Sequence, residues 1–137
     1  MLGSLYIKNY RNLKELTVNS LGRVNLIIGK NNTGKSTLLE AVAIYATKGD
    51  ARLIYQLLEE RGENTKTLNE ISNNSIQTNI KILSSLFSNR IVGFDVTNAI
   101  SIGNNIEDTQ FGEKLSLENN VSLKFVKYVE EESKVIL

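Results

Sequence analysis

Residues 29–36 read Gly29-Lys30-Asn31-Asn32-Thr33-Gly34-Lys35-Ser36, a G-x-x-x-x-G-K-S run that restricts what this chain can fold into more than any other stretch. Each fixed position has a mechanical reason to lie between a strand and a helix. Gly29 lets the backbone turn sharply out of a strand, and Gly34 leaves room for amide groups to approach an anion with no side chain in the way. Those amides continue into the first turn of the helix, where unpaired N–H groups and the helix dipole favour negative charge. Lys35 adds a mobile positive charge suited to the β- and γ-phosphates of a nucleotide, which makes it the catalytic candidate. The Ser36 hydroxyl is the candidate ligand for Mg²⁺, and Thr37 is placed to hold an α-phosphate. Asn31, Asn32 and Thr33 complete the loop as further cofactor-binding candidates.

The flanks agree with the motif. Residues 24–28, Val-Asn-Leu-Ile-Ile, are near-continuously apolar, as in a strand buried on both faces at the centre of a parallel sheet. Residues 36–47 are apolar nearly all round, which predicts a helix packed on most sides. At average residue usage the motif would arise by accident in well under about 1% of chains this long, and without such flanks.

Around this centre the chain reads as α/β with antiparallel portions near the N-terminus and in the C-terminal third. Residues 2–7 and 13–18 predict two short strands joined through the polar turn Asn9-Tyr10-Arg11-Asn12. Leu53, Ile54, Leu57 and Leu58 form the stripe of one amphipathic helix; Leu68, Ile71, Ile76, Ile80, Leu83, Leu86 and Phe87 mark a second. From Ile91 onward the period is two: residues 99–102, 115–117 and 121–129 predict strands, 103–112 a loop, and 134–137 the start of a further strand. The organisation is thus 1–48 for strands, P-loop and P-loop helix, 49–89 for a helical segment, and 90–137 for a β-rich segment.

Composition narrows the chemistry. The 137 residues include no Cys and no His, which excludes disulfides, thiolate nucleophiles, Ser–His relays and the usual zinc sites. What remains is carboxylates, hydroxyls, Lys, Arg and backbone amides. The net charge is +1, but residues 1–50 carry seven Lys/Arg against three Asp/Glu and the rest nine against twelve, a mild pointer to an anionic ligand near the N-terminus. No run of 18 apolar residues and no cleavage-site pattern occurs, so a soluble, cytoplasmic protein without membrane partners is expected.

Hydrolysis needs more than a P-loop: a carboxylate at the end of another apolar strand to hold Mg²⁺ through water, with an acid beside it to polarise the attacking water. Three stretches compete. Glu59 and Glu60 close a helical stripe and read as a solvated helix end. Asp95 follows Ile91-Val92-Gly93-Phe94, but Gly93 interrupts the run and a turn residue is the better reading. Glu130-Glu131-Glu132 reads as a solvated turn.

The segment Leu5-Tyr6-Ile7-Lys8-Asn9-Tyr10-Arg11-Asn12-Leu13 followed by the P-loop and Ser36-Thr37-Leu38-Leu39-Glu40-Ala41 resembles the N-terminus of ABC-type ATPase heads of the SMC/RecF/OLD group. More narrowly it is similar to AAA-type ATP-binding proteins whose OLD-like head is coupled to a nuclease or other effector in prokaryotic defence. Leu86-Phe87-Ser88-Asn89-Arg90 and Ile100-Ser101-Ile102-Gly103 are a weaker echo of the same proteins. The resemblance implies that Gly29, Asn32, Gly34, Lys35, Ser36 and Thr37 contact the phosphates and Mg²⁺ of ATP, and that Arg11 and Asn12 lie beside the nucleotide. On its own surroundings Arg11 reads as a solvated turn residue, and Arg90 is equally structural or phosphate-facing.

The same group carries a Q-loop, an LSGG-like signature, a Walker B strand ending in Asp-Glu and a switch His. This chain has no His and no Ser-Gly-Gly, Leu115-Ser116-Leu117-Glu118 is no signature, and Gln77 and Gln110 lack the context of a Q-loop. The expectation is therefore an N-terminal ATPase lobe that binds Mg-ATP and needs a homodimer partner or another chain bearing the missing half for turnover. DNA enters as a partner through the resemblance alone, with Lys8, Arg11, Lys14, Arg23 and Lys30 as candidate basic positions. Two other readings compete: a non-catalytic nucleotide-responsive interaction module, and a small P-loop kinase or GTPase, which the scattered arginines and the lack of an NKxD motif disfavour.

Overall fold

Leu5 and Ile7 are buried on one face of the first strand, β1 (Leu5–Tyr10), and Asn9, in the left-handed region at φ 62, shifts the phase so that Tyr10 also enters the core. The computed structural model describes residues 2–63, 75–94, 96–104 and 120–126, and of residues 75–78 and 96 the backbone alone. β1 turns through Arg11 and Asn12 into β2 (Leu13–Val18), pairing antiparallel with Tyr10 opposite Leu13 and Leu5 opposite Val18. The other edge of β1 takes β3 (Ile100–Gly103), also antiparallel, with Ile7 opposite Ile102; β3 in turn pairs with β4 (Asn120–Leu123). The sheet order is β2-β1-β3-β4.

Helices cover this sheet. α1 (Lys35–Ala46) follows the P-loop and packs on β1, β3 and β4, burying Thr37, Ala41 and Ile44. α2 (Ala51–Glu60) begins at Asp50, whose Oδ1 accepts from the backbone N–H groups of Arg52 at 2.7 Å and Leu53 at 3.3 Å, an N-cap worth about 1 kcal/mol. It buries Ile54, Leu57 and Leu58, as its stripe predicts. α3 (Ser75–Ser84) leads into Leu86 and Phe87, which are buried, and Phe87 bridges to Tyr10 at the end of β1. One core joins Leu5, Ile7 and Tyr10 of β1, Ile100 and Ile102 of β3, and the apolar faces of α1 and α2.

Residues 24–28 depart from expectation. They form no strand, and Val24 is 91%, Leu26 86% and Ile28 81% exposed. An apolar run becomes a buried strand only when neighbouring strands offer hydrogen bonds and cover, and among the described residues none lies beside it. For the same reason no parallel pairing forms among the described residues, whose four-stranded sheet is antiparallel throughout. α1 is likewise less enclosed than its composition predicts: one face is buried, while Leu39 is exposed.

Other expectations hold in part. Of the second predicted helix, residues 75–84 are helical, Leu86 and Phe87 lie beyond its end, and 68–74 fall outside the described residues apart from the sequence itself. Ile91-Val92-Gly93-Phe94 is not a strand, and Ile91 and Phe94 are exposed. Residues 100–103 and 120–123 are strands close to where the period of two predicts them. Asp95, Gln110, residues 105–119 with 115–117 among them, Glu130-Glu131-Glu132 and 134–137 lie outside the described residues.

Candidate nucleotide-binding site

Gly34, at φ 101, is the residue from which α1 starts, and a Cβ there would stand 3.1 Å from Asn12 Nδ2 and 3.3 Å from Leu13 Cδ2. Two separate demands therefore fall on this glycine: a left-handed backbone and a close approach to the β1–β2 turn. That approach brings Arg11 and Asn12 next to the phosphate loop. Within the loop, Thr33 Oγ1 donates to the Lys30 carbonyl at 2.6 Å, and Lys35 Nζ donates to the Gly29 carbonyl. Gly29 is tight as well, since a Cβ would lie 3.0 Å from Thr33 Oγ1.

An open cleft of about 1040 Å³ lies over this loop, large enough for a small-molecule ligand. Asn31, Asn32, Gly34, Lys35, Ser36 and Thr37 line it from the loop and the start of α1, and Arg11 and Asn12 line it from the β1–β2 turn. Gly29 and Thr33 brace the loop from outside the cleft wall. Arg90 is exposed and is not part of the wall.

Arg11 is not a solvated turn residue. Its side chain is buried, its Nη1 donates to Glu63 at 2.8 and 3.0 Å, and its Nε stands 3.3 Å from Glu40 Oε2. Its backbone is in the left-handed region at φ 49, and its N–H donates to the Leu86 carbonyl at 2.8 Å. Burial alone would lower the guanidinium pKa; the hydrogen bonds to Glu63 and Tyr10 outweigh it, and the net shift is upward. Its Nη2 is buried and has no hydrogen-bond partner among the described residues.

Glu40, Glu60, Arg61 and Glu63 complete the lining, and none of the four is distinguished by the motif. Glu40 sits three residues after Thr37, on the same face of α1. Its Oε2 accepts from the Tyr10 hydroxyl at 3.0 Å and its Oε1 from Arg61 Nε at 2.7 Å. Glu63 is returned toward Arg11 by the cap of α2: Gly62, at φ 70, donates to the Glu59 carbonyl and Glu63 N–H to that of Leu58, each at 2.9 Å. Burial would raise the Glu63 carboxyl, but hydrogen bonds from Arg11 and Ser85 hold it below the usual carboxylate range. The one sequence signal for these residues is Gly62, a helix stop with a charged residue on either side.

Comparison with known families matches residues 1–137, the whole chain, to the AAA ATPase domain. The chain belongs to the AAA ATPase domain family. It is a P-loop protein of an ATPase family, and the relatives it resembles include RecF proteins. Among curated relatives of this family member, an uncharacterised Methanocaldococcus jannaschii protein is 41% identical over 61 residues, 44% of this chain and 28% of its own. The DNA replication and repair protein RecF of Lactobacillus acidophilus is 34% identical over 84 residues, 60% of this chain and 22% of its own. An ATP/GTP phosphatase of Helicobacter pylori is 45% identical over 42 residues, 31% of this chain and 11% of its own. The chain thus spans 11% to 28% of the length of these relatives. No solved structure gives a significant match. Among the described residues no helix is long and apolar enough to cross a membrane.

Proposed function

We propose that this chain binds Mg-ATP through its P-loop as the N-terminal lobe of an ABC-type head, and that turnover requires further polypeptide. The observation that carries the binding half is one cleft lined by Lys35, Ser36 and Thr37 together with the buried, partly unpaired Arg11. On the loop side of the cleft, Lys35 and the first turn of α1 offer a positive charge and backbone N–H groups suited to phosphate. Lys35 draws the β- and γ-phosphates, the Arg11 guanidinium adds fixed positive charge to the wall, and the Ser36 hydroxyl would hold Mg²⁺. When bound, that ion neutralises charge on the β- and γ-oxygens.

The second half of the reading rests on residues 24–28, whose exposed Val24, Leu26 and Ile28 need strands that the described residues do not supply. A neighbouring half of the head, on a longer chain or a partner, would cover them and bring the water-polarising acid. By the sequence resemblance of residues 5–13 and the P-loop to OLD-type heads, the reading extends to an attached nuclease or other DNA-directed effector. The competing reading, a non-catalytic nucleotide-responsive module, rests on the same cleft and differs in needing no such half.

Equilibrium binding of a fluorescent ATP analogue with Mg²⁺ tests the proposal. Lys35→Ala is expected to weaken binding at least about tenfold; equal affinity of parent and variant would refute it. Clear Lys35-dependent ATP turnover by the chain alone would overturn the need for a further half.

A further inference from the structure

We propose that Arg61 is a positioning residue of the nucleotide site, aiming the Thr37 hydroxyl at a bound phosphate and tying the end of α2 to the first turn of α1. This inference rests on the Mg-ATP reading of the P-loop.

Arg61 closes α2, yet its side chain reaches into α1. Its Nη2 donates to Thr37 Oγ1 at 3.2 Å and its Nε to Glu40 Oε1 at 2.7 Å. Thr37 lines the cleft and is only 4% exposed. A hydroxyl carries one proton and two acceptor sites. Arg61 occupies the acceptor side, and among the described residues the Thr37 proton has no acceptor. The direction left to that proton is the cleft, one residue on from Ser36. A cationic donor on the oxygen also polarises the O–H and strengthens it as a donor to an anion.

The guanidinium is held where it must be to do this. Glu40 takes its Nε, and the other oxygen of the same carboxylate is engaged by Tyr10 and faces Arg11, so Glu40 is anchored from β1. The backbone of Arg61 is set by the left-handed cap at Gly62. Phosphate contact at Thr37 is thereby coupled to the orientation of α2, a helix that contributes no residue to the P-loop. The Arg61 side chain remains 32% exposed, and its replacement leaves the apolar core intact.

The test is a double-variant cycle on the full chain, read as the dissociation constant of a fluorescent ATP analogue with Mg²⁺. Thr37→Val is near-isosteric and keeps the backbone N–H, so it removes the hydroxyl alone. Arg61→Ala and, as an independent second substitution, Arg61→Gln are each expected to weaken binding about five- to tenfold, the net worth of one ordinary hydrogen bond. In the Thr37→Val background the same changes should cost less than about twofold, because the hydroxyl they orient is gone. A purely structural role for Arg61 would instead lower the melting temperature of the nucleotide-free chain and leave the two effects multiplicative. Binding within about twofold of the parent in both Arg61 variants, or multiplicative losses in the double variant, overturns the inference while the Lys35→Ala loss keeps the P-loop reading. Unchanged binding in Lys35→Ala overturns that reading and this one with it.

Discussion

Five polar side chains behind the phosphate loop, Tyr10, Arg11, Glu40, Arg61 and Glu63, hold one another by hydrogen bonds and ion pairs of 2.7 to 3.4 Å. Charges this enclosed persist only when paired, since an unpaired buried ion costs several kcal/mol. Glu63→Gln removes one of the two carboxylates paired with a guanidinium whose side chain is 7% exposed, and we expect it to destabilise the chain by about 1–3 kcal/mol in urea titration. The pH dependence has a definite sign. Glu63 is more acidic folded than unfolded, so its contribution is present above about pH 4.3 and is lost as pH falls through the folded value; the Gln variant should show a flatter acid limb. Tyr10 behaves oppositely. Burial, opposed by the hydrogen bond from Arg11, pushes its hydroxyl up to about 12. Stability should therefore fall between about pH 10 and 12 as the unfolded state releases that proton first. Absorbance titration should show a late tyrosine ionisation that is absent in Tyr10→Phe.

The elements that carry the cleft are short, and their ends do the positioning. α1 begins at the left-handed Gly34 and α2 ends at the left-handed Gly62, and the two termini bring Thr37 and Arg61 together. A Cβ at Gly62 would meet nothing within 4 Å, so Gly62→Ala isolates the backbone term. We expect a loss of about 1–2 kcal/mol in urea titration with an unchanged slope. Both strands of the β1–β2 hairpin and α2 are legible from apolar spacing and polar punctuation, because each rests on local pattern. The network of Glu40, Arg61 and Glu63 is not, since nothing in a local pattern distinguishes an acid on a solvated helix face from one turned toward a buried arginine.

Over the whole molecule, apolar surface is unevenly spent: Ile7, Ile44, Leu58, Ile100 and Ile102 are fully enclosed, while Val24, Leu26 and Ile28 stand in solvent. Substitutions should divide the same way. Ile102→Ala is expected to cost about 2–5 kcal/mol, whereas Leu26→Glu should change stability by less than about 0.5 kcal/mol and reduce self-association in sedimentation at high concentration. A large stability loss in Leu26→Glu would mean that residues 24–28 are already covered in this chain. The sequence by itself located the P-loop, the helix that follows it and the β1–β2 hairpin that precedes it, because sterics at Gly34 and the spacing of apolar residues act over a few positions. Only the tertiary structure decided that Arg11 is buried rather than solvated, that Glu40, Arg61 and Glu63 converge behind the loop, and that residues 24–28 lie uncovered. Burial and strand pairing are set by neighbours distant along the chain, and no local pattern of residues states whether those neighbours are there.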